Sequence, residues 1–251
     1  MQKDEIKIVI LAGGKGKRMQ SDAPKALALY KGKPFLRHIL DTIKQLGGNI
    51  KPIIVVGHKK EEVQNVFGNE YIYAEQREQL GTGHALMSAK AHAQSPHGIV
   101  IVLATDQPLI SKETLETLIQ KHTQEQPTLT MGTVTVSDFM DWRLGINNFG
   151  RIIRDTDGSI KKIVEFKDAT EEEKNIKELN PALYAFDASW LWENIEKIRN
   201  QNAQQEYYLT DMIKMAFDQN KKIETISLAN SIEALQPNSM EELALLEKLS
   251  I

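Results

Sequence analysis

The segment Leu11–Lys25, with the sequence LAGGKGKRMQSDAPK, has the residue types that a phosphate site needs. Gly13, Gly14 and Gly16 let the backbone turn tightly and bring its N–H groups against an anion. Four cationic side chains lie within eleven residues of this segment: Lys15, Lys17, Arg18 and Lys25. A neutral structural turn would not need this charge. The pattern indicates a loop that binds nucleotide phosphates, with Leu11 and Ala12 at its start.

This segment differs from two common phosphate loops. It lacks the Gly-Lys-Ser/Thr ending of a P-loop, and Met19 stands where a dinucleotide fingerprint carries its third glycine. The alternative is a surface turn with scattered lysines. The loop follows the first apolar run, however, and open α/β sheets bind ligands at the carboxyl ends of their strands. This position favours a ligand site over a surface turn.

A second candidate site is the segment that surrounds EQLGTGHA. The side chains of Gln76 and Gln79 provide amide donors and acceptors suited to the edge of a nucleotide base. Gly81 permits close approach to a ligand, and Thr82 lies at the start of a predicted helix. From these residues alone, base recognition and an ordinary surface loop remain equally open.

Asp106 is a candidate ligand for a metal ion. It directly follows the apolar run GIVIVLAT, so its carboxylate is expected at the carboxyl end of a buried strand. A hard cation that bridges phosphates would be held there by oxygen ligands. The alternative is a turn aspartate that precedes Pro108. The metal is favoured because the glycine-rich loop is expected at the same edge of the sheet.

Short apolar runs alternate with amphipathic segments in the first half of the chain. Strands are predicted at 7–11, 52–56, 71–74 and 98–104, and helices at 35–46, 59–67, from Gly81 onward and at 111–124, with Ser111 as N-cap. Almost fully apolar strands separated by helices predict a doubly wound α/β fold, whose parallel sheet is covered on both faces.

The pattern changes after Pro127, where turn signals interrupt shorter strands. Strands are predicted at 128–136, 151–154, 161–166, 183–186 and 222–228, and helices at 188–199, 206–218 and from Glu241 onward. No linker rich in Pro, Gly or Ser intervenes. We therefore expect a mixed extension of the same sheet and a single domain over residues 1–251.

Composition excludes several classes of protein. The 251 residues are 41% hydrophobic and 26% charged, which is typical of a folded globular chain. The absence of cysteine excludes a disulfide framework, a thiolate metal site and a thiol nucleophile. The net charge is −3, so there is no electrostatic reason to expect nucleic acid or a membrane surface as a partner. We see no signal peptide and no apolar run near the ~20 residues that span a bilayer, and expect a cytoplasmic protein, monomeric or weakly oligomeric, that acts on small molecules.

The glycine-rich loop resembles the signature L-A-A-G-x-G-T-R-M-x-S-x-x-P-K of the sugar-1-phosphate nucleotidyltransferases, and departs from it at Gly13 and Lys17. The segment Gln76–Ala85 resembles the uridine-reading segment of bacterial N-acetylglucosamine-1-phosphate uridyltransferases. The resemblance implies a Rossmann-like mixed sheet of the GT-A-like type. It implies that Gln76 reads the uracil edge, with Gly81 and Thr82 in support.

The resemblance also extends to a sugar pocket and a metal site. It implies that Gly150, Glu165 and Asn180 line the pocket for an amino sugar, and that Asn238 joins Asp106 as a ligand of Mg²⁺. The segment Asn202–Asp211 matches N-A-Q-x-E-Y-Y-L-T-D at every fixed position. The chain departs from the family on the sugar side, where Ala104-Thr105 replaces Tyr-Gly and Pro181-Ala182 replaces Thr-Gly.

The activity that the resemblance implies is transfer of a uridylyl group from UTP to N-acetylglucosamine 1-phosphate, with Arg18 and Lys25 as the cations that act on the phosphates. Related alternatives are another hexose 1-phosphate as substrate, or a non-catalytic sensor of UDP-sugars. A dinucleotide-dependent dehydrogenase is disfavoured by Met19. No hexapeptide repeats of a left-handed β-helix acetyltransferase domain are present, so we expect the uridylyltransferase unit alone. The segment Val136–Asn148 is longer than in the family, and either a lid or a surface excursion would account for it.

Overall fold

The computed structural model of the protein describes residues 6–14, 23–48 and 50–249. In these ranges the strands are β1 Ile6–Leu11, β2 Leu29–Tyr30, β3 Lys33–Pro34, β4 Ile53–Val56, β5 Ile72–Glu75, β6 Ile99–Ala104, β7 Leu129–Thr135, β8 Gly150–Arg154, β9 Ile160–Val164, β10 Glu178–Asn180, β11 Tyr184–Asp187 and β12 Ile223–Ser227. The α-helices are α1 Phe35–Gln45, α2 Lys60–Phe67, α3 Thr82–Ser88, α4 Lys90–Ala93, α5 Lys112–Glu125, α6 Ala188–Asn194, α7 Asp211–Asp218 and α8 Met240–Leu249. None of these helices is long and apolar enough to cross a bilayer.

Ten of the strands in the described ranges form one mixed sheet. The order is β5-β4-β1-β6-β11-β7-β10-β8-β9, and β12 pairs with β7 in parallel. The first four strands are parallel to one another, while β11 is antiparallel to both β6 and β7. The predicted doubly wound half and its mixed extension are therefore confirmed, and they share one sheet.

Apolar side chains cover both faces of this sheet. Ile8 of β1 packs in the same buried cluster as α1, α5 and α8, whereas its neighbour Val9 packs with α3, α6 and α7. Successive side chains of a strand point to opposite faces, so a strand buried on both sides must be apolar throughout. This explains why β1 and β6 are almost continuous runs of Ile, Val and Leu.

Two predicted helix boundaries were wrong. The helix predicted at 206–218 begins at Asp211, because the preceding residues pack against another loop: Tyr207 N donates to Leu80 O at 2.7 Å, and Gly83 N donates to Tyr207 O at 2.7 Å. The helix predicted at 188–199 ends at Asn194 and continues as one 3₁₀ turn, Ile195–Lys197. Tertiary hydrogen bonds override local propensity in the first case.

The segment Val136–Asn148 contains a 3₁₀ helix, Asp141–Ile146. Its Trp142 packs against the core, and Arg143 bonds the carboxylate of Asp138 at 2.7 Å. Gly145 and Asn148 reach the cavity described below. The segment is therefore docked on the domain and contributes to a wall of that cavity.

Arg151 of β8 holds this segment in place. Its side chain is fully buried, and its guanidinium lies against the rings of Phe139 and Phe166. It donates hydrogen bonds to the backbone oxygens of Asn147, at 2.8 Å, and Lys174, at 3.0 Å. Burial lowers the pKa of Arg151 from its usual value. One side chain thus ties together the two loops that flank β8 and β9.

Candidate functional site

A cavity of about 750 Å³ opens at the carboxyl ends of β1, β5 and β6. Because β1 and β6 are paired in register along their full length, the residues that follow them meet at one edge. Gly13 and Gly14 follow β1, and Thr105 and Asp106 follow β6. This is the edge at which open α/β sheets bind ligands.

The cavity collects most of the site residues predicted from sequence. It is lined by Leu11, Gly13, Gly14, Lys25, Gln76, Gln79, Gly81, Thr82, Ala104, Thr105, Asp106, Gly150, Glu165, Asn180 and Asn238. Gly16 and Arg18, together with Lys15, Lys17 and Met19, lie outside the described residues. The residues that line this one cavity therefore come from near both ends of the described chain.

Ala12, also predicted for the nucleotide site, does not line this cavity. Its side chain is buried in the core beneath the cavity, with 2% exposure. Its backbone N–H donates to the carbonyl of Val55 at 2.9 Å, so this group is already used and does not face a ligand. Ala12 thus anchors the start of the loop to β4, and its place in the nucleotide site stays a prediction.

Lys25, Asp106 and Asn238 form a cluster at one end of the cavity. The ammonium of Lys25 is paired with the carboxylate of Asp106, and it lies 2.6 Å from Oδ1 of Asn238. The amide group of Asn238 donates to the carbonyl of Gln236 at 2.7 Å, which turns Oδ1 toward Lys25. Two oxygens from distant parts of the chain therefore converge on one positive charge.

These oxygens fit a divalent cation. A carboxylate and an amide carbonyl are hard ligands of the kind that Mg²⁺ prefers. Asp106 and Asn238 already converge on a cationic group, so their arrangement favours positive charge at this point. Two protein ligands leave most of an octahedral coordination sphere for phosphate oxygens and water. The donor set thus suits a metal that is shared with an anionic substrate.

The amide of Gln76, directly after β5, is held in another part of the cavity lining. The side chain is only 4% exposed, and its Nε2 donates to the carbonyl of Gly81 at 3.1 Å. The same nitrogen lies 3.2 Å from Nδ1 of His84. Gln79 holds the backbone of Gln76, because its Nε2 donates to the backbone carbonyl of Gln76 at 3.2 Å. The side chains of the two glutamines therefore have different hydrogen-bond partners.

Gly57, directly after β4, was missed by sequence reasoning. A Cβ at this position would lie 3.0 Å from the carbonyl oxygen of Gly13 and 2.9 Å from Nε2 of Gln79. Any side chain would thus push apart the glycine-rich loop and the glutamine segment. The sequence feature that could have identified Gly57 is its place directly after a buried parallel strand.

Gly81 and Gly83 make room for another part of the chain. A Cβ on Gly81 would lie 2.7 Å from the carbonyl oxygen of Tyr207, and a Cβ on Gly83 would lie 2.9 Å from the same atom. Gly81 also has φ of +106°, which disfavours other residues. Thr82 accepts a hydrogen bond from the backbone of Leu209 at 3.0 Å. The segment Asn202–Asp211 thus braces the loop that carries Gln76.

Glu165 and Thr210 lie together at the sugar end predicted by sequence. The hydroxyl of Thr210 donates to Glu165 at 2.9 Å. Burial raises the pKa of Glu165, the Thr210 hydrogen bond opposes this, and the negative charge of Asp168 adds to the rise. Thr210 was not among the predicted site residues, because only the fold brings it to Glu165.

Asn180 and Gly150 complete this end of the cavity. Oδ1 of Asn180 accepts a hydrogen bond from the backbone of Ala182 at 3.1 Å, which leaves the amide hydrogens for other partners. Ala182 has φ of +59° at the position where the resembling family carries glycine. A Cβ on Gly150 would lie 2.7 Å from Cγ2 of Ile163, so the absence of a side chain permits the close pairing of β8 and β9.

The loop after β6 carries the other departure from the family. Thr105 donates its backbone N–H to Leu11 at 3.1 Å, which joins the ends of β6 and β1. Its hydroxyl is buried and has no hydrogen-bond partner among the described residues. Ala104 presents only a methyl group to the cavity, so this wall offers little polar contact to a ligand.

The fold is that of nucleotidyltransferases. A solved structure of UDP-glucose pyrophosphorylase complexed with UDP-glucose superposes with a TM-score of 0.75 at 15% identity and 97% coverage of each chain. A second, of CMP:2-keto-3-deoxy-manno-octonic acid synthetase with CTP, gives 0.67 at 16% identity and 98% coverage of each. Residues 8–205 match the MobA-like NTP transferase domain, and the chain belongs to that family.

Curated relatives sharpen this assignment. The bifunctional protein GlmU of Acetivibrio thermocellus is 40% identical over 236 residues, which are 94% of this chain and 50% of that protein. GlmU of Caldanaerobacter subterraneus subsp. tengcongensis is 40% identical over 246 residues, 98% and 52% of the two chains. The chain spans about half the length of these relatives. The family and fold class predicted from sequence are confirmed.

Proposed function

We propose that this protein is a Mg²⁺-dependent uridylyltransferase that converts UTP and N-acetylglucosamine 1-phosphate into UDP-N-acetylglucosamine and pyrophosphate. The observation that carries the proposal is a single cavity lined both by the fixed amide of Gln76 and by the Lys25, Asp106 and Asn238 cluster. The identity of about 40% to bifunctional GlmU proteins over most of the chain supports the choice of substrates.

The proposed reaction requires the protein to position two anionic substrates and to neutralise their charge. The phosphate oxygen of the sugar 1-phosphate attacks the α-phosphorus of UTP in line, and pyrophosphate leaves. This oxygen is already ionised, so a general base is not required. A divalent cation on Asp106 and Asn238 would neutralise charge on both substrates. Lys25, held beside both oxygens, can contact the reacting phosphates, and Arg18 is proposed to bind the leaving pyrophosphate.

The sugar is proposed to bind beside Gly150, Ala104 and Thr105. Glu165 can accept hydrogen bonds from sugar hydroxyls, because Thr210 occupies only one of its oxygens. The amide hydrogens of Asn180 can donate to an acetamido carbonyl, since its oxygen is engaged with Ala182. Both groups line the same cavity, which is large enough for a nucleotide sugar.

A substrate panel tests the proposal. The purified chain is incubated with UTP, Mg²⁺ and one of several hexose 1-phosphates, and pyrophosphate release is followed with and without a chelator. We expect turnover with N-acetylglucosamine 1-phosphate that the chelator abolishes. Turnover with only another sugar would overturn the sugar assignment. Binding of UDP-sugar without any turnover would instead support a sensor.

A different hexose 1-phosphate is the second candidate substrate. The observation that favours it is the altered sugar wall, where Ala104 and Ala182 replace larger or more flexible residues of the family pattern. The same panel separates the two candidates. With either sugar, we propose a small-molecule enzyme of the cytoplasm.

A further inference from the structure

The hydrogen bonds of Gln76 determine which end of its amide is free. Nε2 carries two hydrogens and faces two acceptors, the carbonyl of Gly81 at 3.1 Å and Nδ1 of His84 at 3.2 Å. A rotated amide would instead place Oε1 against the Gly81 carbonyl, so two acceptors would face each other. The carbonyl of the side chain is therefore the end left for a ligand.

Oε1 of Gln76 is directed toward the glycine-rich loop. A Cβ on Gly13 would lie 2.8 Å from this oxygen, so the missing side chain of Gly13 keeps the space around it open. Gly13, Gly81 and Gln76 all line the cavity. A base that enters this end meets a hydrogen-bond acceptor.

We propose that His84 is a positioning residue that fixes the Gln76 amide and thereby makes the site select uracil over cytosine. This inference rests on the proposed function, in which the base of UTP binds at this end of the cavity. N3 of uracil carries a hydrogen and donates, whereas N3 of cytosine has a lone pair and accepts. In the proposed pose Oε1 faces N3, so a fixed Oε1 pairs with uracil and repels the N3 lone pair of cytosine.

The fold itself does not decide between these bases. Of the two structures with the same fold, one was solved with UDP-glucose and the other with CTP. Selectivity must therefore come from local groups. In this chain the local groups are Gln76 and the two acceptors that hold it.

His84 is well placed to act through Gln76. It lies in the first turn of α3, and its ring packs beside Tyr207, with centroids 6.3 Å apart. Its Nδ1 must present a lone pair to accept from Gln76, which assigns the ring hydrogen to Nε2. If this acceptor is lost, one amide hydrogen of a buried side chain has no partner, and the amide gains rotational freedom.

The test compares UTP with CTP in three variants of the full chain. His84→Ala removes the acceptor, and His84→Asn restores an acceptor near the position of Nδ1. His92→Ala is the matched control, because His92 is an exposed histidine on the following helix. The ratio of kcat/KM for UTP to that for CTP is measured for each protein, with separate values of kcat and KM.

We expect the ratio to fall about tenfold in His84→Ala, as for one lost hydrogen bond. The change should come mainly from a higher KM for UTP. His84→Asn should recover most of the parent ratio, and His92→Ala should match the parent protein. An unchanged ratio in a folded His84→Ala protein overturns the inference. So does an equal loss in His84→Asn, because that outcome indicates a general structural role.

Calorimetric binding of UTP and CTP, without a sugar phosphate, separates the two proposals. Selective binding of UTP that weakens in His84→Ala, in a protein with no turnover, would refute the proposed reaction and support the base selection. Turnover with equal binding of both nucleotides would support the reaction and refute the base selection.

Discussion

The side-chain amide of Gln236 donates a hydrogen bond to the backbone carbonyl of Pro181 at 2.8 Å. This contact joins two walls of the cavity that are distant in sequence. Asn238 bonds the carbonyl of Gln236 at 2.7 Å, and Asn180 directly precedes Pro181. The proposed metal ligand and the proposed sugar ligand are therefore connected through a single glutamine.

Gln236→Ala should loosen both walls together. We expect KM for the sugar 1-phosphate and the Mg²⁺ concentration for half-maximal rate each to rise about fivefold to tenfold, as for one lost hydrogen bond. Steady-state kinetics over a range of Mg²⁺ concentrations measures both. Gln201→Ala, at an exposed position, is the control. A change in only one constant would show that the walls are independent.

Asp106→Asn should remove turnover and keep the fold. The asparagine oxygen can still accept from Lys25, so the buried ammonium retains a partner, but the negative charge that favours a metal is gone. We expect kcat/KM to fall about 100-fold or more. Pyrophosphate release and thermal unfolding are measured on the same sample. Full activity in this variant would remove Asp106 from the mechanism.

Ala182→Gly should stabilise the protein. Ala182 has φ of +59°, in the left-handed region that costs an alanine about 1–2 kcal/mol. Glycine removes this strain but adds entropy to the unfolded chain, so the expected net gain is about 0.5–1 kcal/mol. Urea denaturation measures it. Ala203→Gly, where φ is not positive, should give no gain, and a loss in Ala182→Gly would contradict the assignment of strain.

Glu165 should make stability depend on pH. Burial raises its pKa in the folded protein, so its charged form is disfavoured there relative to the unfolded chain. The stabilisation from protonated Glu165 is fully present below the pKa that this group has in the unfolded chain. It is lost as pH rises through the higher pKa of the folded protein. Glu165→Gln should therefore gain stability relative to the parent at neutral pH and show no gain in acid. Urea denaturation across this range, with the exposed Glu247→Gln as control, tests the sign.

Arg151→Lys should destabilise the protein by about 3 kcal/mol, because an ammonium cannot reach all of the carbonyls that the buried guanidinium satisfies. Arg154→Lys is the control on the same strand. Its ion pair with Glu178 is exposed, so a loss below about 1 kcal/mol is expected there. Urea denaturation measures the free energy of unfolding of both variants. Equal losses of this free energy would show that burial of Arg151 does not cause the destabilisation.

The sequence predicted those elements whose signal is local. Apolar runs such as β1 and β6 and the capped helix α5 were found because burial on both faces and an N-cap leave a pattern in the residues themselves. The hairpin of β2 and β3 was missed. Each strand has only two residues, and the turn relies on positive φ at Lys31 and Gly32.

Residues of the candidate site were predictable where they directly follow a predicted strand. Gly13 and Asp106 are of this kind, because parallel strands end at one edge. Thr210 and Gln236 were missed, since their roles depend on contacts between distant segments. Gly57 was missed although it directly follows β4. Asn238 was found only by resemblance, because a lone asparagine in a turn has no periodic or compositional signal.

Lys25 and Asn238 meet although 213 positions separate them along the chain. During synthesis, the strands that carry the glycine-rich loop, Gln76 and Asp106 leave the ribosome long before Asn238 does. Until the segment after β12 docks, the cluster therefore lacks its second oxygen. An abortive product of translation that stops before this segment would be left without Asn238, and so without a complete cluster at the proposed reaction centre.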